Sequence, residues 1–218
     1  MDKVIIFDLD GTLIDSLPDI HAALNEMLKI RGAPPLSLNI VRGMIGKGSA
    51  NLVFCALVEQ NLPSDDNECV AGLHDFIRIY SSNASKLTSL YCGVTETLSE
   101  LKGQDIRLGV CTNKPARPAK IVLEHFKLTQ FFDVVIGGDQ LSSRKPDPEM
   151  LYCTMRLLNT ESCIFVGDSE VDRETALAAS QPFVLFTEGY RKADIATLSP
   201  EYYFDNYAYL PAIARAAF

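Results

Sequence analysis

Residues 4 to 16 read Val4-Ile5-Ile6-Phe7-Asp8-Leu9-Asp10-Gly11-Thr12-Leu13-Ile14-Asp15-Ser16, an apolar run that ends in two carboxylates one residue apart, followed by glycine. Alternate residues of a strand point the same way, so the run predicts a strand whose tip presents Asp8 and Asp10 together while Leu9 turns back to the core. Gly11 lets the chain swing away with no Cβ in its path. Two acids crowded at a strand end repel each other unless a cation or a shared proton relieves them. The pair therefore suits a metal-assisted site with one nucleophilic and one acid/base carboxylate.

Four more apolar runs read as strands: Ile106–Cys111, Val134–Gly137, Cys163–Val166 and Phe183–Phe186. Helical patterns lie between most of them, at Pro118–Phe126, Pro148–Leu158 and Arg173–Ala179. This alternation predicts an α/β fold, a Rossmann-like parallel sheet with helices on both faces. Between the first two strands the pattern is helical throughout, at Asp19–Lys29, Leu38–Ile45, Asn51–Glu59 and Glu68–Tyr80. Asp19–Lys29 carries Ile20, Ala23, Leu24, Met27 and Leu28 on one stripe. Short helices joined by Gly/Pro-rich loops make an antiparallel bundle. The expected organisation is a core of residues 1–16 and 91–218 with a helical cap of residues 17–90, inserted above the acids as a lid. Thr95–Lys102 returns the chain to the sheet. The aromatic tail Tyr202-Tyr203-Phe204-Asp205-Asn206-Tyr207 is expected to pack on the core, with cover of the sheet edge or of another subunit as alternatives.

The 218-residue chain has a net charge of −8. That balance argues against a nucleic-acid surface, which needs clustered Lys and Arg. No apolar run reaches the length of a membrane span. The N-terminus enters a strand directly, without a signal-peptide pattern, so the cytoplasm is the expected compartment. The six cysteines show no C-x-x-C spacing, and Cys111 and Cys163 read as small core hydrophobes. His21, His74 and His125 stand apart on helical stretches and read as structural or solvated.

Open parallel sheets collect catalytic groups at the carboxyl ends of their strands. Here those ends bear Asp8 and Asp10, then Thr112-Asn113, then Lys145 in the loop beyond the third strand, then Asp168. Carboxylates, hydroxyl and amide donors and one cation make the set needed to pass a phosphoryl group through an aspartate.

The chain resembles the haloacid dehalogenase superfamily phosphatases that form an aspartyl phosphate and carry a helical cap after the first strand. Asp8-Leu9-Asp10-Gly11-Thr12, Thr112-Asn113, Lys145-Pro146-Asp147-Pro148 and Gly167-Asp168-Ser169-Glu170-Val171-Asp172 carry the resemblance, in that order. It implies Asp8 as nucleophile and metal ligand, and Asp10 as general acid/base whose backbone carbonyl joins the metal shell. It implies Thr112 and Asn113 as donors to the phosphoryl group, and Lys145 as the cation holding phosphoryl group and nucleophile together. Asp168 is implied as the principal metal acid. Asp172, one helical turn on, is expected to reach the ion directly or through water, and Glu170 to be solvated. An oxygen-only set favours Mg²⁺. Within the cap, Val41-Arg42-Gly43-Met44-Ile45-Gly46-Lys47-Gly48-Ser49-Ala50 resembles the cap loop of phosphoglycolate phosphatases. Arg42, Gly46, Lys47 and Gly48 thereby become candidate substrate contacts.

Two features depart from the family pattern. Ser180-Gln181 stands where Ala-Gly usually ends the helix after the fourth motif, and serine lacks glycine's left-handed freedom. Arg144 directly precedes the lysine and is expected to face water. The expected function is a Mg²⁺-dependent phosphatase for a small phosphorylated metabolite, the phosphoglycolate phosphatases being the nearest resemblance. A sugar phosphomutase or a pyrophosphate or nucleotide phosphatase of the same fold stays open, as does the choice of monomer or homodimer. A phosphoacceptor switch is the rival from another class, disfavoured by the acid's place on the first strand and the helical insertion after it.

Overall fold

The computed structural model describes residues 3–218. β1 (Val4–Phe7) leads through the short β2 (Ile14–Asp15) into four helices, α1 (Leu17–Ile30), α2 (Leu38–Arg42), α3 (Ser49–Glu59) and α4 (Asp66–Ser81). β3 (Ser89–Leu90) returns the chain to α5 (Val94–Gly103), β4 (Arg107–Cys111), α6 (Ala116–His125) and β5 (Val134–Ile136). There follow α7 (Glu149–Leu157), β6 (Ile164–Gly167), α8 (Glu170–Ala178), β7 (Phe183–Phe186), α9 (Ile195–Leu198), β8 (Tyr202–Phe204) and α10 (Leu210–Ala217).

The main sheet has the order β5-β4-β1-β6-β7-β8, and its strand pairs are parallel. β1 is central, so its carboxyl end lies between those of β4 and β6. The strands alternate between two apolar layers, as a period of two demands. Ile5, Phe7, Leu108, Val110, Ile164, Val166, Val184 and Phe186 face one core, while Val4, Ile6, Cys111, Phe165, Phe183 and Leu185 face the other.

α1 to α4 form the inserted helical bundle. The stripe Ile20, Ala23, Leu24, Met27 and Leu28 is buried on α1, which packs on α4, and α4 on α3. Asp65 caps α4 by accepting from the Asn67 and Glu68 N–H groups at 3.0 and 3.2 Å. Entry and exit of the bundle are pinned together by the antiparallel pair β2–β3. Asp19, 2% exposed, closes that junction: its carboxylate accepts from Leu87 N, Thr88 N and Thr88 Oγ1 at 2.7–3.0 Å.

Four features differ from the sequence expectation. The sheet gains a sixth, edge strand, because β8 pairs with β7. Phe204 and Tyr207 are buried as expected of a packed tail, whereas Tyr202 and Tyr203 stay on the surface. The β2–β3 pair was invisible locally, since each strand has two residues and a partner far along the chain. Ser180 takes φ +55°, so the turn after α8 keeps its left-handed residue without glycine. His21 is structural as expected, its Nε2 lying 2.9 Å from the Leu36 carbonyl oxygen. All six cysteines are free.

Candidate active site

β1 ends at Phe7, and the next residues stand at the centre of the sheet's carboxyl edge. Gly11, at φ +87°, turns the chain against Asp168 and Tyr190; a side chain there would overlap both. This turn seats Asp8 and Asp10 in the wall of a cavity of about 50 Å³ between sheet and cap. Ile20, Ile45, Gly46, Gly48, Ser49, Leu52, Phe76 and Tyr80 line it from the cap side, and Thr112, Asn113 and Lys114 from the core.

Lys145, 4% exposed, donates from Nζ to Asp8 Oδ1 and Asp172 Oδ1, both at 2.7 Å. Asp8 Oδ2 makes no protein hydrogen bond among the described residues, so this oxygen is available for reaction. Asp168 accepts from Thr12 Oγ1 at 2.9 Å and from the Tyr190 N–H at 2.6 Å. Asp172 Oδ2 accepts from the backbone N–H groups of Asp168 and Ser169 and from Ser169 Oγ.

Asp8, Asp168 and Asp172 are buried, and each offers a carboxylate oxygen within 4.8 Å of the others. One ammonium, Lys145, contacts this group of three acids, which leaves two negative charges uncompensated when all are ionised. Burial pushes the Asp8 carboxyl up to about 6, with Lys145 pulling down and Asp172 adding to the rise. Burial also holds Asp168 well above the carboxylate range, with Asp172 and Asp8 reinforcing it. Burial would lower Lys145, but Asp172 and Asp8 hold it fully protonated. A divalent cation cancels the charge deficit, and the oxygen-only donors match a hard ion. The group thus fits a divalent-metal site of the Mg²⁺ kind.

Asp10 is held apart from this group. Its Oδ1 accepts from Ser16 Oγ at 2.5 Å and from Lys114 Nζ at 2.7 Å. Thr112 is 1% exposed at the end of β4 and lines the cavity. Asn113 spends its side chain on the scaffold: Nδ2 donates to the carbonyls of Gly46 and Lys145, and Oδ1 accepts from the Lys145 N–H. That bracing aims Lys145 and draws the cap loop down.

The cap residues divide. Gly46 and Gly48 lie in the cavity wall, whereas Arg42 and Lys47 do not. Arg42 donates to the Gly189 carbonyl and stacks over the Tyr190 ring at 5.8 Å; Lys47 is exposed. Glu170 is not simply solvated. Its Oε1 accepts from the Lys192 and Ala193 N–H groups at 2.7 and 2.6 Å, so it clamps the loop after β7. Arg144 is exposed as expected, and its Nε donates to the Gly138 carbonyl.

Sequence reading missed Thr12, Ser16, Tyr80, Lys114, Gly189 and Tyr190. Lys114 and the Gly189-Tyr190 pair obey the strand-end rule used for the others, since they follow β4 and β7. Tyr190 also braces the cap junction: its hydroxyl donates to Asp15 Oδ1 and accepts from the Ser16 and Leu17 N–H groups. For Tyr80 there was no local signal, because it lies on the apolar face of a cap helix.

The family model for haloacid dehalogenase-like hydrolases matches residues 5–186. The chain belongs to this family of hydrolases, with its helical cap inserted after the first strand. Among curated relatives it is 40% identical over 215 residues to the phosphoglycolate phosphatase of Rhodobacter capsulatus, covering 99% of this chain and 98% of that one. It is 41% identical to that of Cereibacter sphaeroides, covering 97% of each. A crystal structure of a predicted phosphoglycolate phosphatase from Haemophilus somnus matches with a TM-score of 0.89 at 34% identity, covering 97% of both chains. CbbY from Rhodobacter sphaeroides, solved with phosphate, shares the fold at a TM-score of 0.84 and 21% identity, covering 96% of each chain.

Proposed function

We propose that the protein is a Mg²⁺-dependent phosphatase that hydrolyses a small phosphomonoester, 2-phosphoglycolate foremost, through an aspartyl phosphate on Asp8. One observation carries this reading: Asp8 has one oxygen fixed by Lys145 and the other unbonded beside a cavity walled by the cap. The relatives named phosphoglycolate phosphatase, similar over nearly the whole chain, support the substrate.

Asp8 Oδ2 attacks phosphorus, and the ester oxygen leaves with a proton from Asp10. Asp10 then takes a proton from the water that cleaves the acyl phosphate, returning Asp8 as a carboxylate. Lys145 stays on the nucleophile and faces the charge that builds on the transferring oxygens, joined by Thr112 Oγ1 and the Asn113 N–H. Asp8 and Asp168 would hold the Mg²⁺, with Asp172 contributing through Oδ1 or through water. Bound there, the ion supplies positive charge to the phosphoryl oxygens. Ile20, Ile45, Leu52 and Phe76 exclude bulk water from the reacting centre. Arg42 acts as a latch between cap and the loop after β7 rather than as a substrate ligand.

The test is phosphate release from a panel of small phosphate esters, with Mg²⁺ and with EDTA, and no bisphosphate activator. The expected result is strongest turnover on 2-phosphoglycolate, abolished by EDTA. A requirement for a bisphosphate would instead mark a mutase, and a preference for nucleotides or pyrophosphate would overturn the substrate assignment.

A further inference from the structure

We propose that Lys114 is a positioning residue that couples the seating of the cap to the aim of Asp10, through the chain Tyr80–Lys114–Asp10. The inference rests on the reading of Asp10 as the acid that protonates the leaving oxygen.

Lys114 is 5% exposed, in the loop after β4, and its ammonium bridges two parts of the molecule. On the core side it donates to Asp10 Oδ1 at 2.7 Å; on the cap side it donates to the Tyr80 hydroxyl and lies 4.5 Å from that ring's centroid. Ser16 donates to the same Asp10 oxygen at 2.5 Å. Two donors on Oδ1 fix the carboxyl plane, and Oδ2 has no hydrogen-bond partner among the described residues. Ser16 belongs to the core side of the junction and stays when the cap lifts, whereas Tyr80 moves with α4. A buried ammonium that loses one of its two partners is drawn toward other acceptors or water. Its hold on Asp10 therefore depends on where α4 sits.

Tyr80 is itself part of the cavity wall. Its ring stacks on Phe76 at 5.5 Å and 7°, and Phe76 forms part of the apolar wall. A leaving group pressed against Phe76 steadies Tyr80, and Tyr80 steadies Lys114. Burial pushes the Tyr80 phenol up to about 12, so the hydroxyl accepts from Lys114 while keeping its own hydrogen. The consequence is an acid aligned when the cap is seated on substrate.

The test compares an alkyl phosphate such as 2-phosphoglycolate, whose alcohol must be protonated as it leaves, with p-nitrophenyl phosphate, whose phenolate leaves without a proton. For Lys114→Met we expect kcat/KM to fall about 100-fold on the alkyl ester and by less than about 5-fold on the aryl ester. Tyr80→Phe keeps the ring and removes the acceptor; it should show the same pattern at about 10-fold, and the double variant should be no worse than Lys114→Met alone. Equal losses on both esters, an unaffected Tyr80→Phe, or additive losses in the double variant would each overturn the coupling. Should Lys114→Met fail to fold, the leaving-group dependence of Tyr80→Phe decides by itself. Asp8→Asn, measured alongside, separates the two levels: turnover surviving in it refutes the aspartyl-phosphate reading, whereas a silent Asp8→Asn with equal losses at Lys114 refutes only this link.

Discussion

Asp19 and the Asp8–Asp168–Asp172 group are both deeply buried acid sites, and they are solved in opposite ways. Asp19 accepts from two backbone N–H groups and one hydroxyl of the returning linker, so its charge is spread over fixed dipoles close to the N-terminus of α1. The strand-tip acids crowd within 4.8 Å of one another and meet a single ammonium. A satisfied acid holds a structure together. A cluster with excess negative charge costs stability and persists where a cation and a reaction make use of it. The contrast predicts opposite signs on mutation: removing charge from the cluster should spare or raise stability and end activity, whereas removing Asp19 should lower stability first.

The largest expected effect is on Asp8→Asn. The amide still accepts from Lys145, one repelling charge is gone, and the proposed nucleophile is lost. Turnover should fall by at least about 10⁴-fold, while the melting temperature without metal stays level or rises. Asp168→Asn comes next: the fold should remain, yet the Mg²⁺-induced rise in melting temperature expected of the wild type should disappear, together with about 10³-fold in kcat/KM. Asp19→Ala strips acceptors from the buried N–H groups at the cap junction and should cost about 3 kcal/mol in chemical denaturation, with kcat reduced far less than in the cluster variants.

The pH dependence sharpens the same contrast. The folded Asp8 carboxyl stands at about 6, above its unfolded value of 3.8, and Asp168 is raised in the same direction. A raised acid contributes stability that is complete below the unfolded value and is lost as pH rises through the folded one. Without metal, wild type should therefore lose stability relative to Asp8→Asn between about pH 4 and pH 6. Saturating Mg²⁺ should close that gap, as differential scanning fluorimetry across the range can show. The smallest effect is expected far from either acid site: Ser180→Gly relieves a left-handed serine at the end of α8 and should stabilise by about 1 kcal/mol without changing kinetics.

The core sheet and the strand-tip acids were legible because their signals are local. An apolar run ending in Asp8-Leu9-Asp10-Gly11, and lone polar residues at the ends of later strands, state their own position. The cap was legible as a bundle from its 3.6-residue stripes, down to the buried face of α1. What stayed hidden depends on contacts across the chain. Asp19 reads as an ordinary first-turn acid until Thr88 is brought to it, 69 residues away. Arg42 and Lys47 sit in a loop whose glycines do line the cavity, but sequence gives no direction to a long side chain on a short helix, and Arg42 reaches Gly189 instead. Ser180 shows the reverse case, a residue whose type argues against a turn that the packing of α8 and β7 nevertheless imposes.

Covalent chemistry at one oxygen of Asp8 is tested most directly by acid quenching during turnover of 2-phosphoglycolate with Mg²⁺, followed by peptide mass spectrometry. The expected result is one phosphoryl group on the peptide bearing Asp8, absent with EDTA and absent in Asp8→Asn. Turnover with no phosphorylated peptide under conditions that preserve acyl phosphates, or a phosphoryl group carried by another residue, would contradict it.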